Sequence, residues 1–318
     1  CEQNAKRKLG YTALPNTENS IALIKKDKRP TEARQSHRKH AYGRDSEMPQ
    51  QLDNRIMSKQ KRYILQENDL PKQWYNILAD MPNKPLPPLN PATKKPVSVD
   101  DLAHIFAKAC AEQELDTQNA WIDIPEEVQE KYKYYRSTPL VRAYALEEAL
   151  QTPAHIYFKN ESVNPLGSHK VNSALPQCYY CKQEGVTNVT TETGAGQWGA
   201  ALSYAASVYG LSAAVYQVKI SMQQKPYRSL VMRTFGAAVT GSPSMSTRAG
   251  KNIITRDPMH QGSLGTAISE AVELATTTPN CKYTLGSVLN HVTLHQTVIG
   301  LEAEKQMALA EEYPDVVI

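Results

Sequence analysis

The sequence predicts an α/β fold organised on a parallel β-sheet, and three observations carry that prediction. From His155 onward, short β-branched runs alternate with helical stretches, the order that βαβ units require. Two strand-to-helix junctions, NPLGSHKVNS (164–173) and TTETGAGQWG (190–199), are rich in residues that permit tight turns. The composition, 41% hydrophobic and 21% charged, is that of an ordinary globular chain. Its 318 residues suffice for one large domain or two of usual size.

Residues 1–58 are polar and basic without a sustained apolar period, so a disordered extension is expected there. If that extension is a transit peptide the protein belongs in a plastid; otherwise the cytoplasm is expected. Cys1 in place of Met, and the apolar run PDVVI (314–318) at the other end, are read as the ends of a fragment.

The catalytic region is expected over 59–318. Its Pro-rich stretch 83–98 should run extended. SVDDLAHIFAKACAEQEL (98–115) reads as one helix with Ser98 as its N-cap, and IPEEVQEKYKYY (124–135) as another, with Pro125 in its first turn. Strands follow at 155–161, 188–192, 213–219, 237–243 and 283–287. Helices are expected between them at 168–185, 197–210, 225–236 and 263–277.

Charge and cysteine usage exclude several classes of function. The net charge is +4, but residues 1–60 alone hold 13 Lys/Arg and 7 Asp/Glu, so the body is slightly acidic and no nucleic-acid partner is expected. No apolar run reaches the 18 or so residues of a membrane span. Five scattered cysteines suit a reducing compartment. The CYYC of Cys178 and Cys181 falls inside a predicted helix and lacks a second pair for zinc, so packing is its expected role.

GAGQWG (194–199) matches the dinucleotide-binding pattern, which also wants an acid about 20 residues further on. Between Glu184 and Asp257 the only acid is Glu192, before the turn, so that reading fails. What remains is a set of exposed backbone N–H groups at a helix start, suited to a carboxylate or phosphate, with Glu192 at the same strand end. Lys170 sits at a second such junction. Beside His169 and at a helix start its amine is expected to shift toward the neutral, nucleophilic form that attacks an aldehyde cofactor. Ser168 and Asn172 flank it as hydrogen-bond donors.

Together NPLGSHKVNSA, TTETGAGQWG, SMQQKPYRSLVMRTFGA and YTLGSVLNHVTLHQTVIGLEAEKQ resemble the β chains of tryptophan synthase, most closely those of the second type. The similarity runs from about residue 60 to the last residue. It implies a fold-type II pyridoxal-phosphate enzyme, with two Rossmann-like parallel-sheet domains of which the second is incomplete here. The implied cofactor is pyridoxal 5'-phosphate, with Lys170 as its covalent partner. His169 is then expected near the phosphate, Gln197 near the phenolic oxygen, and Asn172 among the cofactor-binding residues. Glu192 becomes the acid/base, and Thr193, Gly194, Ala195, Gly196 and Gln197 hold the substrate carboxylate.

L-Serine and indole are the implied substrates, with a homodimer as the assembly and only weak pairing to a tryptophan synthase α subunit. Two departures from the usual β chain, Trp198 in place of histidine and SVLNHVTLHQ (287–296) in place of a GPHPYP-type segment, are typical of the second type. The resemblance also places a GGGSN-like phosphate cup directly after PDVVI. The alternatives are a serine/threonine dehydratase on the same fold, an inactive fragment, and a metal hydrolase built on His291 and His295 (HVTLH).

Overall fold

The computed structural model describes residues 60–318 and the backbone of 20–25. The expected extension over 1–58, and its reading as a transit peptide, otherwise lie outside the described residues. Ser20–Lys25 forms a strand, β1, in a segment expected to lack structure.

A short region leads into the body: β2 (Arg62–Tyr63), β3 (Gln73–Tyr75), helix α1 (Ile77–Asp80), α2 (Val99–Ala103), α3 (Lys108–Leu115), β4 (Trp121–Asp123) and α4 (Glu126–Lys133). Ser98 caps α2 in a reciprocal box with Asp101, as its sequence predicts. The single helix expected over 98–115 is instead broken between α2 and α3. The Ile105 carbonyl turns outward to accept from Tyr283 N at 2.9 Å, so it is lost to any helical ladder.

The remainder runs β5 (Leu140–Arg142), α5 (Tyr144–Ala149), β6 (His155–Asn160), α6 (Val171–Gln183), β7 (Asn188–Thr193), α7 (Gln197–Tyr209), β8 (Ser212–Val218), α8 (Lys219–Gln224), α9 (Pro226–Thr234), β9 (Ala238–Ser242), α10 (Arg248–Arg256), α11 (Leu264–Thr277), β10 (Cys281–Tyr283), α12 (Asn290–Leu309) and β11 (Val316–Val317). Four strands in the order β10-β7-β8-β9 make the expected parallel sheet. Its strands are apolar, with Val189, Val215 and Tyr283 buried, because helices cover both faces. The small residues Ala200, Ala201, Ala205 and Ala206 let α7 lie close against it.

The second sheet departs from expectation. Its order is β11-β1-β6-β5-β2, and every pairing in it is antiparallel. β6 was expected in the parallel set. The link from β5 carries only the six residues of α5, too short a helix for the crossover that parallel neighbours need.

Where α12 packs against the antiparallel sheet and α6 lies a buried ionic cluster. Arg136 donates from Nε to Glu302 Oε1 at 2.5 Å and from Nη2 to Glu302 Oε2 at 2.7 Å. It also reaches Glu161 at 3.2 Å and Asn172 Oδ1 at 2.8 Å. Lys159 Nζ donates to Glu302 Oε2 at 2.7 Å and to Gln306 Oε1 at 2.8 Å. Two cations face two carboxylates, and all four side chains are shut off from solvent. Replacing Glu302 with Ala leaves Arg136 and Lys159 short of an anion, and we expect a loss of about 3–5 kcal/mol, read from the shift in urea midpoint at unchanged slope.

Candidate active site

Lys170 is set in place by its own loop. Asn164 Oδ1 accepts from the backbone N–H groups of Leu166 (3.0 Å) and Ser168 (3.2 Å), while its Nδ2 donates to the carbonyls of Glu161 (2.6 Å) and Ser168 (2.8 Å). This folds NPLGS into a tight turn and brings Lys170 to the N-cap of α6. The amine donates to Gly286 O at 3.3 Å. His169 is half-buried beside it, and burial, then the Lys170 charge, lowers its pKa and favours the neutral ring.

Gly286 belongs to the segment that leaves β10, and α6 holds that segment as well. Gln177 donates from Nε2 to Leu285 O at 2.8 Å and accepts from Leu285 N at 3.1 Å. Trp198 packs closely against Gly286. A Cβ at residue 286 would lie 2.5 Å from the indole ring. The same indole donates from Nε1 to Thr191 Oγ1 at 2.6 Å. The sequence marks Trp198 only as a departure from the usual pattern and gives no sign of Gln177, because the segment they hold, 285–286, lies far along the chain from both.

Glu192, near the end of β7, is 7% exposed. Burial raises its pKa above the usual carboxylate range. This is opposed by a hydrogen bond from the Tyr283 phenol, by its own backbone N–H, by the Thr191 hydroxyl and by the Lys170 charge. Glu192 and Lys170 therefore sense one another across the mouth where β7 and β10 end.

The loop after β7 completes the mouth. Gly196 takes φ +96° as the N-cap of α7, and a Cβ there would lie 2.6 Å from Arg228 Cβ, so glycine is required on both counts. The first N–H groups of α7, which starts at Gln197, have no partner in their own helix, and that of Gly199 donates to Thr193 Oγ1 at 3.2 Å. Next to Gly196 stands Gln217, fully buried at the end of β8. Its Oε1 accepts from Ser229 at 2.8 Å, and its Nε2 has no hydrogen-bond partner. A buried donor left open beside the Gly196 turn makes Gln217 a candidate site residue, one to which sequence analysis gave no role.

The structure thus gathers Lys170, His169, Glu192 and the loop Thr193–Gly194–Ala195–Gly196–Gln197 at one edge of the parallel sheet, where ligands of open α/β sheets bind. Asn172 is a correction. Its Oδ1 accepts from Tyr135 (2.9 Å) and Arg136 (2.8 Å), and its Nδ2 donates to Glu161 (3.1 Å) and Gln296 (3.2 Å). All its capacity is used inside the protein, which leaves none for a cofactor.

His291 and His295 also turn inward. The first meets Glu114 at 2.9 Å, the second Gln113 at 2.9 Å and Ser173 at 3.1 Å. Among the described residues no cluster of three side chains could hold a metal. Cys178 and Cys181 lie in the core, where burial raises both thiols.

Residues 132–318 match the pyridoxal-phosphate dependent enzyme family, and the chain belongs to it. Within that family it is similar to Tryptophan synthase beta chain 2 of Thermotoga maritima, 56% identical over 80% of this chain and 60% of that protein. The proteins of the same name in Methanosarcina acetivorans and Aquifex aeolicus are 52% and 54% identical, over 83% and 81% of this chain and 59% of each relative. The chain therefore spans about three-fifths of the length of these relatives. Among solved structures, maize serine racemase aligns with a TM-score of 0.43 and 16% identity, over 57% of this chain and 49% of that one.

The residues present fit the family's cofactor at its reactive end. They offer an amine at a helix start, an imidazole biased to neutrality, and the open Gln217 amide beside a glycine cradle. Gly286→Ala should cost about 1–3 kcal/mol by forcing the Trp198 ring off its seat. A Trp198→Leu second substitution should return part of that loss in a double-mutant cycle read by denaturation.

Proposed function

We propose that residues 59–318 form the catalytic region of an enzyme that replaces the hydroxyl of L-serine with indole, giving L-tryptophan, with pyridoxal 5'-phosphate as cofactor. The observation that carries this reading is the pairing of one amine, Lys170, with one carboxyl, Glu192, at the same sheet edge and against the same segment, 283–286. The printed names of the similar bacterial and archaeal proteins support it.

When bound, the cofactor supplies an electron sink for charge at the substrate α-carbon. Lys170 would hold the cofactor covalently, and its free amine would take the α-proton. The amine's contact with Gly286 O keeps it on the cleft side of α6. His169, neutral and half-buried, adds no positive charge beside the amine. Backbone N–H groups of residues 194–197 bind the amino acid's carboxylate, with Gln217 Nε2 as an added donor. Glu192 gives a proton to the departing hydroxyl and then accepts the indole N–H. A carboxyl raised by burial but steadied by hydrogen bonds can serve in both protonation states. A homodimer is the proposed assembly, which sedimentation of the holoenzyme reports.

The same residues could stop after loss of the hydroxyl and release pyruvate and ammonia, as a dehydratase would. Glu192 facing the cleft favours replacement, because it offers the indole N–H an acceptor. Lys170→Ala should abolish covalent attachment of the cofactor, read by mass spectrometry after borohydride reduction. Glu192→Gln should keep that attachment and lower indole consumption at least 100-fold. Pyruvate released in place of tryptophan by the unaltered enzyme would select the dehydratase instead, and no turnover of either kind would mark an inactive protein.

A further inference from the structure

We infer that Tyr283 is the positioning residue for Glu192, its phenol fixing the orientation of the carboxyl toward the cleft. The inference rests on the reading of Glu192 as the acid/base. Tyr283 opens the stretch YTLGSVLNHVTLHQ that carries part of the resemblance, but no role was read for it there, and the case for it is one of geometry.

The phenol cannot swing away. Tyr283 ends β10 in register with Thr190, its N–H donates to Ile105 O at 2.9 Å, and its ring packs on Phe106 with centroids 5.7 Å apart. The side chain is buried, and the hydroxyl donates to Glu192 Oε2.

The competing donor is committed elsewhere. Thr191 Oγ1 stands 3.5 Å from Glu192 Oε2, but it has a single proton and lies 2.7 Å from Thr284 O. Trp198 Nε1 occupies its lone pair at 2.6 Å. The shorter contact to Thr284 O leaves Thr191 a weak second donor to Glu192 Oε2, and Tyr283 is the strong side-chain donor to that oxygen.

Electrostatics agree with the geometry. Burial, then the Glu192 charge, push the phenol up, so Tyr283 stays protonated and always donates. Donation favours the ionised carboxyl and opposes the burial that raises it. The titratable groups that face Glu192 among the described residues are Tyr283 on β10 and Lys170 at the start of α6. Since Gly286 O holds the Lys170 amine, one short segment aligns both reacting groups.

The test is Tyr283→Phe in the holoenzyme. A buried charge-assisted hydrogen bond is lost, so kcat should fall about 10- to 100-fold, with the KM for serine changed far less. The limb of the pH profile that reports Glu192 should move to higher pH. The carboxyl band of Glu192, followed by infrared titration of the cofactor-free protein, should move the same way. Incorporating 3-fluorotyrosine at position 283 preserves the packing and strengthens the donor, so it should move both to lower pH. Unchanged kcat, limb and infrared titration in Tyr283→Phe overturn the inference, as does a fluorotyrosine protein that titrates like the parent. Glu192→Gln separates the two levels: if it is inactive while Tyr283→Phe behaves as the parent, only the role of Tyr283 falls, and if it is active, the acid/base reading falls with it.

Discussion

The bidentate pair of Arg136 with Glu302, and the charges gathered around it, hold the active-site edge in place. Arg136 precedes β5, Lys159 lies on β6, Glu161 follows it and Glu302 is on α12. The cluster therefore joins the antiparallel sheet to the body that carries the parallel one. Through Asn172 it also grips the first turn of α6, two residues from Lys170. A buried ion pair is a poor source of net stability, since desolvation offsets most of its Coulomb gain. Its value here is directional: four partners with fixed donors and acceptors admit one arrangement, whereas an apolar patch of equal size would tolerate sliding.

From that fixed start of α6, order passes to the segment 283–286. Gln177, less than two turns into the helix, clamps Leu285, and Trp198 presses on Gly286 from α7. The segment is pinned between two helices that each begin at a junction of the candidate site. The Lys170 amine and the Glu192 carboxyl are then both measured against a common reference. Rigid support of this kind is what general acid/base chemistry needs, because proton transfer falls off steeply with small misplacement.

The βαβ unit of β7, glycine loop and α7 was legible in the sequence to within a residue, because apolar period, turn residues and helix start are all local signals. Lys170 and Glu192 stood out as candidates for the same reason: each stands beside a recognisable junction. Tyr283, separated from Glu192 by 91 positions, and Gln177, separated from Leu285 by 108, left no trace in spacing. Asn172 misled because an amide next to a reactive lysine looks like a ligand donor, while the groups that consume it come from residues 135–136, 161 and 296. The antiparallel pairing of β6 was hidden too, since an alternating run of β-type residues carries no record of strand direction.

Burial sets the central difficulty of such a site. A carboxyl in a cleft dry enough to exclude water is pushed toward its neutral form, and a fully neutral acid cannot accept the proton or the N–H that the second half of the proposed reaction demands. A fully ionised one cannot release the hydroxyl in the first half. The carboxyl must rest between these limits, so the opposing terms have to be of similar size. Desolvation is supplied by the sheet and α7. The phenol of Tyr283, the peptide N–H and the more distant amine of Lys170 supply the counterweight. Because the counterweight includes a neutral donor that never ionises in the working range, it persists when the amine changes charge during a turnover. A site balanced by the amine alone would shift its acidity at each proton transfer; one balanced in part by a phenol keeps its carboxyl serviceable through both.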